Sequence, residues 1–356
     1  KMNRFEEKPF VSVVIPVRNE ARNIKICLES VLNQDYEHFE VIVVDDGSTD
    51  GTLEQVKKVQ EVSNKEVSLL RVESPEYGWT GKNYAIYTGT KSARGNWFLF
   101  LDADTVLYPD AISKAVNLCI SNGLNMVSFS PEQVLVGFWE KAIQPVIFDF
   151  LESLYVYEVV NDPNTEEAAA NGQFILVERT AYEVVGKHAA IRDEVLEDVA
   201  LAKRLKLAGF RITFLYGKGI VRCRMYKSLG EIVEGWTKNL FILADYRWGL
   251  VLKTILKSCF WFSLPLLCVY MLFLFFMNPG FLTASLLLLT SSILGLFYIG
   301  KWSRFKKRGY PGACVFLYPL GAGVSVVLFC VSIYRVLIKG VRWKGRVYKV
   351  RRREKL

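Results

Sequence analysis

At 356 residues, with 51% apolar side chains and a mean hydropathy of +0.19, the chain is too long for one ordinary soluble core and too apolar for a typical cytosolic enzyme. Its net charge of +9 does not point to nucleic acid, because the Lys and Arg excess flanks apolar runs; anionic lipid headgroups are the simpler partner. Two histidines, His38 and His188, argue against a His-based metal site or triad, and seven cysteines without a CxxC pair read as reduced packing residues of a cytosolic globular part.

The first strand, Val11 to Ile15, runs into Pro16-Val17-Arg18-Asn19-Glu20, after which Ile24, Leu28 and Val31 recur at helical spacing. The pattern repeats with Val41 to Val44, the loop Asp45-Asp46-Gly47-Ser48-Thr49-Asp50-Gly51-Thr52 and a helix through Val56 and Val59. A third strand, Val67 to Val72, precedes Gly78-Trp79-Thr80-Gly81-Lys82-Asn83 and a helix to about Arg94. The fourth, Phe98 to Leu101, ends in Asp102-Ala103-Asp104. Strands alternating with helices predict a parallel sheet whose polar loops gather at one edge, where α/β folds bind ligands. No secretory signal precedes the first strand, and a start at Lys1-Met2 leaves open whether a natural N-terminal segment is missing.

Each polar loop has an ordinary reading and a chemical one. Asp102 and Asp104 cap a following helix, or share a hard divalent cation that bridges to phosphate oxygens. Asp46 belongs to a turn, or accepts hydrogen bonds from a nucleoside. Lys82 is a surface lysine, or holds phosphate at a helix N-terminus. Glu197-Asp198 complements a helix dipole, or supplies a base. Beyond Leu124 the alternation weakens. Val134 to Val160 reads as helical, with core packing slightly favoured over a membrane-leaning surface; Phe174 to Val177 and Phe210 to Leu215 read as strands and Leu196 to Leu207 as a helix.

Ser228 to Leu243 has the pattern of an amphipathic interface helix. Three apolar runs follow, Ile255 to Met277, Phe281 to Ile299 and Ala313 to Ile338, each about the 20 residues that a bilayer crossing requires. From Ile255 onward Glu354 is the only carboxylate. The expected organisation is a cytosolic catalytic domain over 1–227, an interface helix over 228–252, a multi-pass membrane region over 253–340 and a basic tail over 341–356. Basic residues flank both ends of the third run, and Pro319, Gly321 and Gly323 lie near its middle. Under the positive-inside rule this predicts a broken, re-entrant third segment that returns its tail, Trp343-Lys344-Gly345-Arg346-Val347-Tyr348 onward, to the cytosolic face near the active site. A third full span is the alternative.

In order, PVRNE (16–20), VVDDGSTDGT (43–52), GWTGKN (78–83), FLDADT (100–105), NGQF (171–174) and LED (196–198) resemble the family 2 glycosyltransferases, over roughly residues 11–240. With RMY (224–226), EGWTKN (234–239) and WKGRVY (343–348), the chain is similar to bacterial membrane glycosyltransferases that modify polyisoprenoid lipids, of the diaponeurosporenoate and hopanoid-associated type. The resemblance implies an α/β fold of GT-A type, a Rossmann-like mixed sheet that binds a nucleotide sugar, followed by the helical membrane region.

It also implies roles. Pro16, Arg18, Asn19, Glu20 and Asp46 would hold the nucleoside, Lys82 the diphosphate, Asp102 the ribose side, Asp104 a divalent Mg2+ or Mn2+, and Asp198 would be the general base. Gly172, Gln173, Glu197, Trp236 and Lys238 are acceptor-side candidates, with a membrane anchor as the alternative reading of Trp236. The implied activity is inverting transfer of one sugar, glucose from a UDP-sugar, to the hydroxyl or carboxylate of a lipid or carotenoid-type acceptor. Glu234-Gly235-Trp236-Thr237-Lys238-Asn239 stands where processive relatives carry QxxRW, which counts against the alternative of a polysaccharide synthase. A non-catalytic nucleotide-sugar-binding membrane subunit is a second alternative.

Overall fold

A computed structural model describes residues 8–343 and 346–348. The remaining residues of the expected tail, 344, 345 and 349–356, lie outside the described residues, so the expected return of the tail falls outside them in large part. The strands in chain order are β1 (Val11–Val17), β2 (Phe39–Asp45), β3 (Val67–Arg71), β4 (Trp97–Phe100), β5 (Thr105–Leu107), β6 (Met126–Ser130), β7 (Glu132–Gln133), β8 (Ile175–Glu178), β9 (Ile212–Tyr216), β10 (Val221–Cys223), β11 (Val341–Trp343) and β12 (Arg346–Tyr348). The helices are α1 (Ile24–Leu32), α2 (Thr52–Val62), α3 (Gly81–Ser92), α4 (Ala111–Asn122), α5 (Phe138–Leu154), α6 (Tyr157–Asn161), α7 (Arg179–Val184), α8 (Glu197–Leu207), α9 (Leu229–Leu243), α10 (Trp248–Met277), α11 (Phe281–Lys307) and α12 (Ala313–Tyr334). They divide into two compact units, one comprising the chain up to Gln133 with Tyr155–Met225, the other Val134–Leu154 with the chain from Tyr226.

The first unit is built on a seven-stranded sheet of order β3-β2-β1-β4-β8-β6-β9. β1, β2 and β4 are apolar almost throughout because helices cover both faces, the condition under which parallel strands read as continuous hydrophobic runs. The sheet is mixed, as the resemblance implies and unlike the parallel sheet read from the alternation: β1 pairs parallel with β2 and β4, whereas β8 runs antiparallel to β4 and β6. That reversal has a direct consequence for function. Phe100 at the end of β4 lies opposite Ile175 at the start of β8, so the residues preceding β8 meet the loop following β4. Residues 171–173 thereby join 16–20, 45–52 and 102–104 at one edge. A small sheet, β5-β10-β7, closes the same unit.

The second unit is helical, and two expectations change there. The segment 134–154 packs with the C-terminal helices: α5 lies against α12 so closely that a Cβ on Gly321 would fall 1.8 Å from the carbonyl oxygen of Ala142. The apolar face of α9, expected at the membrane interface, is covered by protein instead. Ile232, Trp236, Leu240 and Phe241 are buried, the Trp236 indole donates to Gln144 Oε1 of α5 at 2.8 Å, and the Phe241 N–H donates to Ser332 Oγ of α12 at 3.0 Å.

Among the described residues, three helices of this unit are long and apolar enough to cross a membrane. α10 and α11 form an antiparallel pair joined at Asn278–Gly280, with Trp261 stacked on Phe297 at 4.1 Å, and only 6% and 11% of their most apolar stretches are buried. For α12 the share is 50%. The expected break in this third run does not occur: α12 continues through Pro319, Gly321 and Gly323. A proline removes one intrahelical hydrogen bond, and protein packing on α12 offsets that loss; Gly321 and Gly323 accommodate the backbone of Ala142 and the ring of Phe262. The N-terminal end of α12 rests on the last turns of α11 through Phe305, Tyr310 and Tyr318, and its C-terminal end rests on α9, whose Phe241 contacts Trp248 at the start of α10. Both ends of α12 therefore meet the open end of the α10–α11 pair.

Candidate active site

The loops after β1 and β2 are laced together by short-range polar contacts. The backbone N–H groups of Asn19 and Glu20 donate to Ser48 Oγ (3.0 Å) and Thr52 Oγ1 (2.8 Å), and Thr49 N–H donates back to Asn19 Oδ1 (2.8 Å). Arg18 reaches the main-chain oxygen of Asp46 and lies 4.0 Å from its carboxylate. Asn19 at φ 53° and Gly47 at φ 67° occupy the left-handed region that such tight turns require. Asp45 is fully buried and accepts from Ser48 N–H, so of the two adjacent aspartates it is the one that builds the turn.

Lys82 opens α3, whose first turn is capped by Thr80 Oγ1 accepting from Asn83 N–H at 3.3 Å. Asn83 is buried, and its amide donates to the carbonyls of Ile191 (2.7 Å) and Glu194 (3.1 Å). α3 is thereby fastened to the segment that leads into α8, the helix that opens with Glu197 and Asp198. Lys82 Nζ lies 2.6 Å from Asp102 Oδ1 and 2.6 Å from Glu197 Oε1. Asp198 accepts from Gly172 N–H through Oδ2 (2.9 Å) and from Val199 N–H through Oδ1 (2.8 Å). Lys82, Asp102 and Glu197 border a small cleft also lined by Pro16, Gly172 and His188.

The electrostatics follow from burial and from one cation among three carboxylates. Burial, reinforced by the Glu197 carboxylate, pushes Asp198 up to about 6 against the opposing pull of Lys82 and the two backbone donors. Burial likewise raises Asp102, with Lys82 pulling it down. Burial alone would lower Lys82, but Asp102, Glu197 and Asp198 outweigh it and hold the ammonium above its usual range.

Asp104 lies beyond β4, where Gln173 Nε2 approaches its Oδ1 at 3.4 Å and also meets Cys223 Sγ. Burial raises the Cys223 and Cys27 thiols, which keeps them protonated at neutral pH. Among the described residues no group of three or more His, Cys, Asp or Glu side chains is arranged to hold a metal ion alone. The donors at this edge are the carboxylates of Asp102 and Asp104 and the buried Gln173 Oε1, which has no hydrogen-bond partner among the described residues. An all-oxygen, incomplete set fits Mg2+ or Mn2+, which take one or two carboxylates and complete their shells with water and substrate phosphate.

The structure thus brings together Pro16, Lys82, Asp102, Gly172, Glu197 and Asp198, sets Asp104 beside Gln173, and joins Arg18, Asn19 and Glu20 to the Asp46 turn. Trp236 and Lys238 sit on α9 in the second unit, and Trp236 is enclosed there by Gln144, Phe148 and Tyr226, which leaves it no membrane-anchoring role. His188 is a residue that the sequence did not single out for this pocket. It is buried, its Nδ1 is 2.7 Å from the Tyr182 hydroxyl, and burial pushes it down to about 3, so it lines the pocket as a neutral ring.

The model of the family described as Glycosyl transferase family 2 matches residues 12–186. The 4,4'-diaponeurosporenoate glycosyltransferase of Staphylococcus aureus strain USA300 is 29% identical over 235 residues, and that of strain MRSA252 aligns equally. Each alignment covers 65% of this chain and 60% of the relative's length, so less than two thirds of those proteins is represented. The mannosyltransferase PcManGT from Pyrobaculum calidifontis, solved with GDP-Man and Mn2+, aligns over 90% of this chain and 88% of its own with a TM-score of 0.50 and 20% identity, a likeness of fold.

Proposed function

The chain belongs to glycosyltransferase family 2, and from that premise we propose that it is a membrane-bound, inverting glycosyltransferase moving one sugar from a nucleotide sugar to a membrane lipid. The observation that carries this reading is Lys82 held between Asp102 and Glu197, with Asp198 one residue further, at the edge where the β1 and β4 loops meet residues 171–173. Pro16, Arg18, Asn19, Glu20 and Asp46 bind the nucleoside, and Lys82 turns from its carboxylates to the diphosphate. Asp104, beside Asp102 on the ribose side, would hold a divalent ion, which, when bound, would offset charge on the departing diphosphate. Asp198 takes the proton of the acceptor hydroxyl while the acceptor oxygen bonds to the anomeric carbon and the bond to the diphosphate breaks. Attack opposite the leaving group in one step inverts the centre. A base near 6 is ionised at neutral pH and still basic enough to accept a proton.

The donor is expected to be UDP-glucose. The name of the staphylococcal relative is that of an acid, which favours a carboxylate acceptor as the second form of the proposal. Asp198→Asn separates the two. With a hydroxyl acceptor it should cut turnover by about 10²-fold or more while nucleotide binding stays near wild type; an already ionised carboxylate needs no base and should retain much of its rate. Full activity of Asp198→Asn on a hydroxyl acceptor would remove Asp198 from the mechanism.

For the membrane region we favour two crossings, α10 and α11, with α12 as a protein-covered helix at the cytosolic face. The meeting of both ends of α12 with the open end of the α10–α11 pair supports this, as does the cluster Lys301, Arg304, Lys306, Lys307 and Arg308 at that end.

A further inference from the structure

Two sets of cations in the second unit contrast. Lys301, Arg304 and Arg308, at the end of α11, all face the buried Asp149 of α5, and Arg308 also pairs with Glu152. Arg335, half-buried at the C-terminal end of α12, has no carboxylate partner among the described residues. Its one hydrogen bond among them runs from Nη1 to Thr237 Oγ1 of α9 at 2.6 Å. The Thr237 hydroxyl spends its own proton on the Val233 carbonyl, so its oxygen is left to accept and aims the guanidinium. Arg335 also begins a π-helical turn, Arg335–Lys339, an irregularity that recurs at functional sites, and Lys339 adds an exposed cation to that turn.

A half-buried guanidinium without a counter-charge is an expensive arrangement unless an anion completes it, and its planar fork matches phosphate or carboxylate with two parallel hydrogen bonds. Arg335 lies where α12 meets α9, whose Phe241 touches the first residue of α10. On the two-crossing reading, that is the cytosolic membrane face, where the abundant anion is a lipid headgroup. We propose that Arg335, aimed by Thr237 and supported by Lys339, docks the headgroup phosphate of an anionic phospholipid. The site rests on that topology and not on sugar transfer.

The test uses the full chain in an uncharged detergent, titrated with short-chain phosphatidylglycerol, with phosphatidylcholine of the same chains, and with inorganic phosphate. The wild type should bind phosphatidylglycerol in preference to phosphatidylcholine. Arg335→Gln should lower that affinity by about tenfold or more, Arg335→Lys should restore it in part, and Lys306→Gln, an exposed cation elsewhere, should leave it unchanged. Thr237→Val keeps the side-chain volume and removes only the hydroxyl, so it should give a smaller loss and serves if Arg335→Gln fails to fold. Equal binding of the two lipids, or unchanged affinity in Arg335→Gln or in a folded Thr237→Val, overturns the proposal. Competition by inorganic phosphate at the affinity of the lipid would assign the site to a free anion and overturn the lipid. None of these readouts requires glycosyl transfer, so its failure would leave them standing.

Discussion

The Nζ of Lys82 lies 2.6 Å from Oε1 of Glu197, and Glu197 immediately precedes Asp198, so a single cation connects the start of α3 to the start of α8. Through its second contact, with Asp102, the same ammonium reaches the end of β4. Three carboxylates and one ammonium leave a net negative pocket, which a diphosphate enters only with its own cation. We therefore expect transfer to need added divalent metal and to stop on chelation, from this charge balance as well as from the oxygen donors of Asp102 and Asp104.

Lys82→Met should therefore do more than weaken donor binding. It removes the charge that opposes the raised Asp198 and leaves Asp102 and Glu197 facing each other. We expect kcat/KM to fall by about 10²-fold or more, the range seen when one preorganised charge-stabilising group is lost. Lys82→Arg should not restore it, because a planar guanidinium cannot occupy the compact position between two carboxylates. Steady-state kinetics with varied nucleotide sugar decide the matter.

The acid limb of the pH profile should report Asp198. Its carboxyl is raised by burial to about 6, and the base works only when ionised, so with a hydroxyl acceptor the rate should be full above pH 7 and fall about tenfold per unit well below pH 6. Because Lys82 pulls Asp198 down, Lys82→Met should move the residual limb to higher pH. His188, held near 3, contributes no second limb in this range. A rate independent of pH between 5 and 7.5 would contradict the assignment.

Gly172 is required by space and not by backbone strain. A Cβ there would fall 2.7 Å from Lys82 Nζ and 3.1 Å from Glu197 Oε1, both flexible side-chain ends, so Gly172→Ala should fold normally and displace the ammonium. The donor KM should rise by about tenfold, with the thermal midpoint unchanged, since a misplaced positioning group costs rate and not stability.

Much of this was legible in the chain. β1, β2 and β4 are apolar runs because both their faces are covered, and the loops after them carry the acids and Lys82 in a spacing that resembles a known family. β6 was not legible: its sequence Met126-Val-Ser-Phe-Ser130 mixes polar residues into a buried strand, and only the fold shows that Ser128 Oγ accepts from Asn171 N–H and supports the turn before β8. α5 carries Gln144 and Asp149 on what reads as an apolar surface, and their partners, Trp236 and Lys301, lie far along the chain. His188 shows its place only through Tyr182 and the pocket wall.

Gly321 tests the packing of the second unit. Any side chain there meets the Ala142 carbonyl, so Gly321→Val must separate α5 from α12. Overpacking of this kind costs about 1–3 kcal/mol, more where backbone is the obstacle. The thermal midpoint of the detergent-solubilised protein should drop by several degrees, whereas Gly295→Val, on α11 with open space around it, should leave it unchanged.

The two-crossing arrangement predicts the location of the C-terminus. With α10 and α11 as the crossings, a protein whose catalytic domain meets cytosolic nucleotide sugars keeps its tail in the cytosol. A fluorescent protein that matures only in the cytosol should be bright when fused after Leu356, and alkaline phosphatase, active only after export, should be silent there and active when inserted at Asn278–Gly280, between the two crossings. The three-crossing alternative gives the opposite result for the tail fusion and the same result for the insertion, so the tail decides. The basic residues at 301–308 and the Arg335–Lys339 turn flank α12 at both ends, and an exported tail would have to carry one of these groups across the membrane. A silent fluorescent fusion with an active phosphatase at the tail would show that it does, and would remove the placement on which the Arg335 site rests.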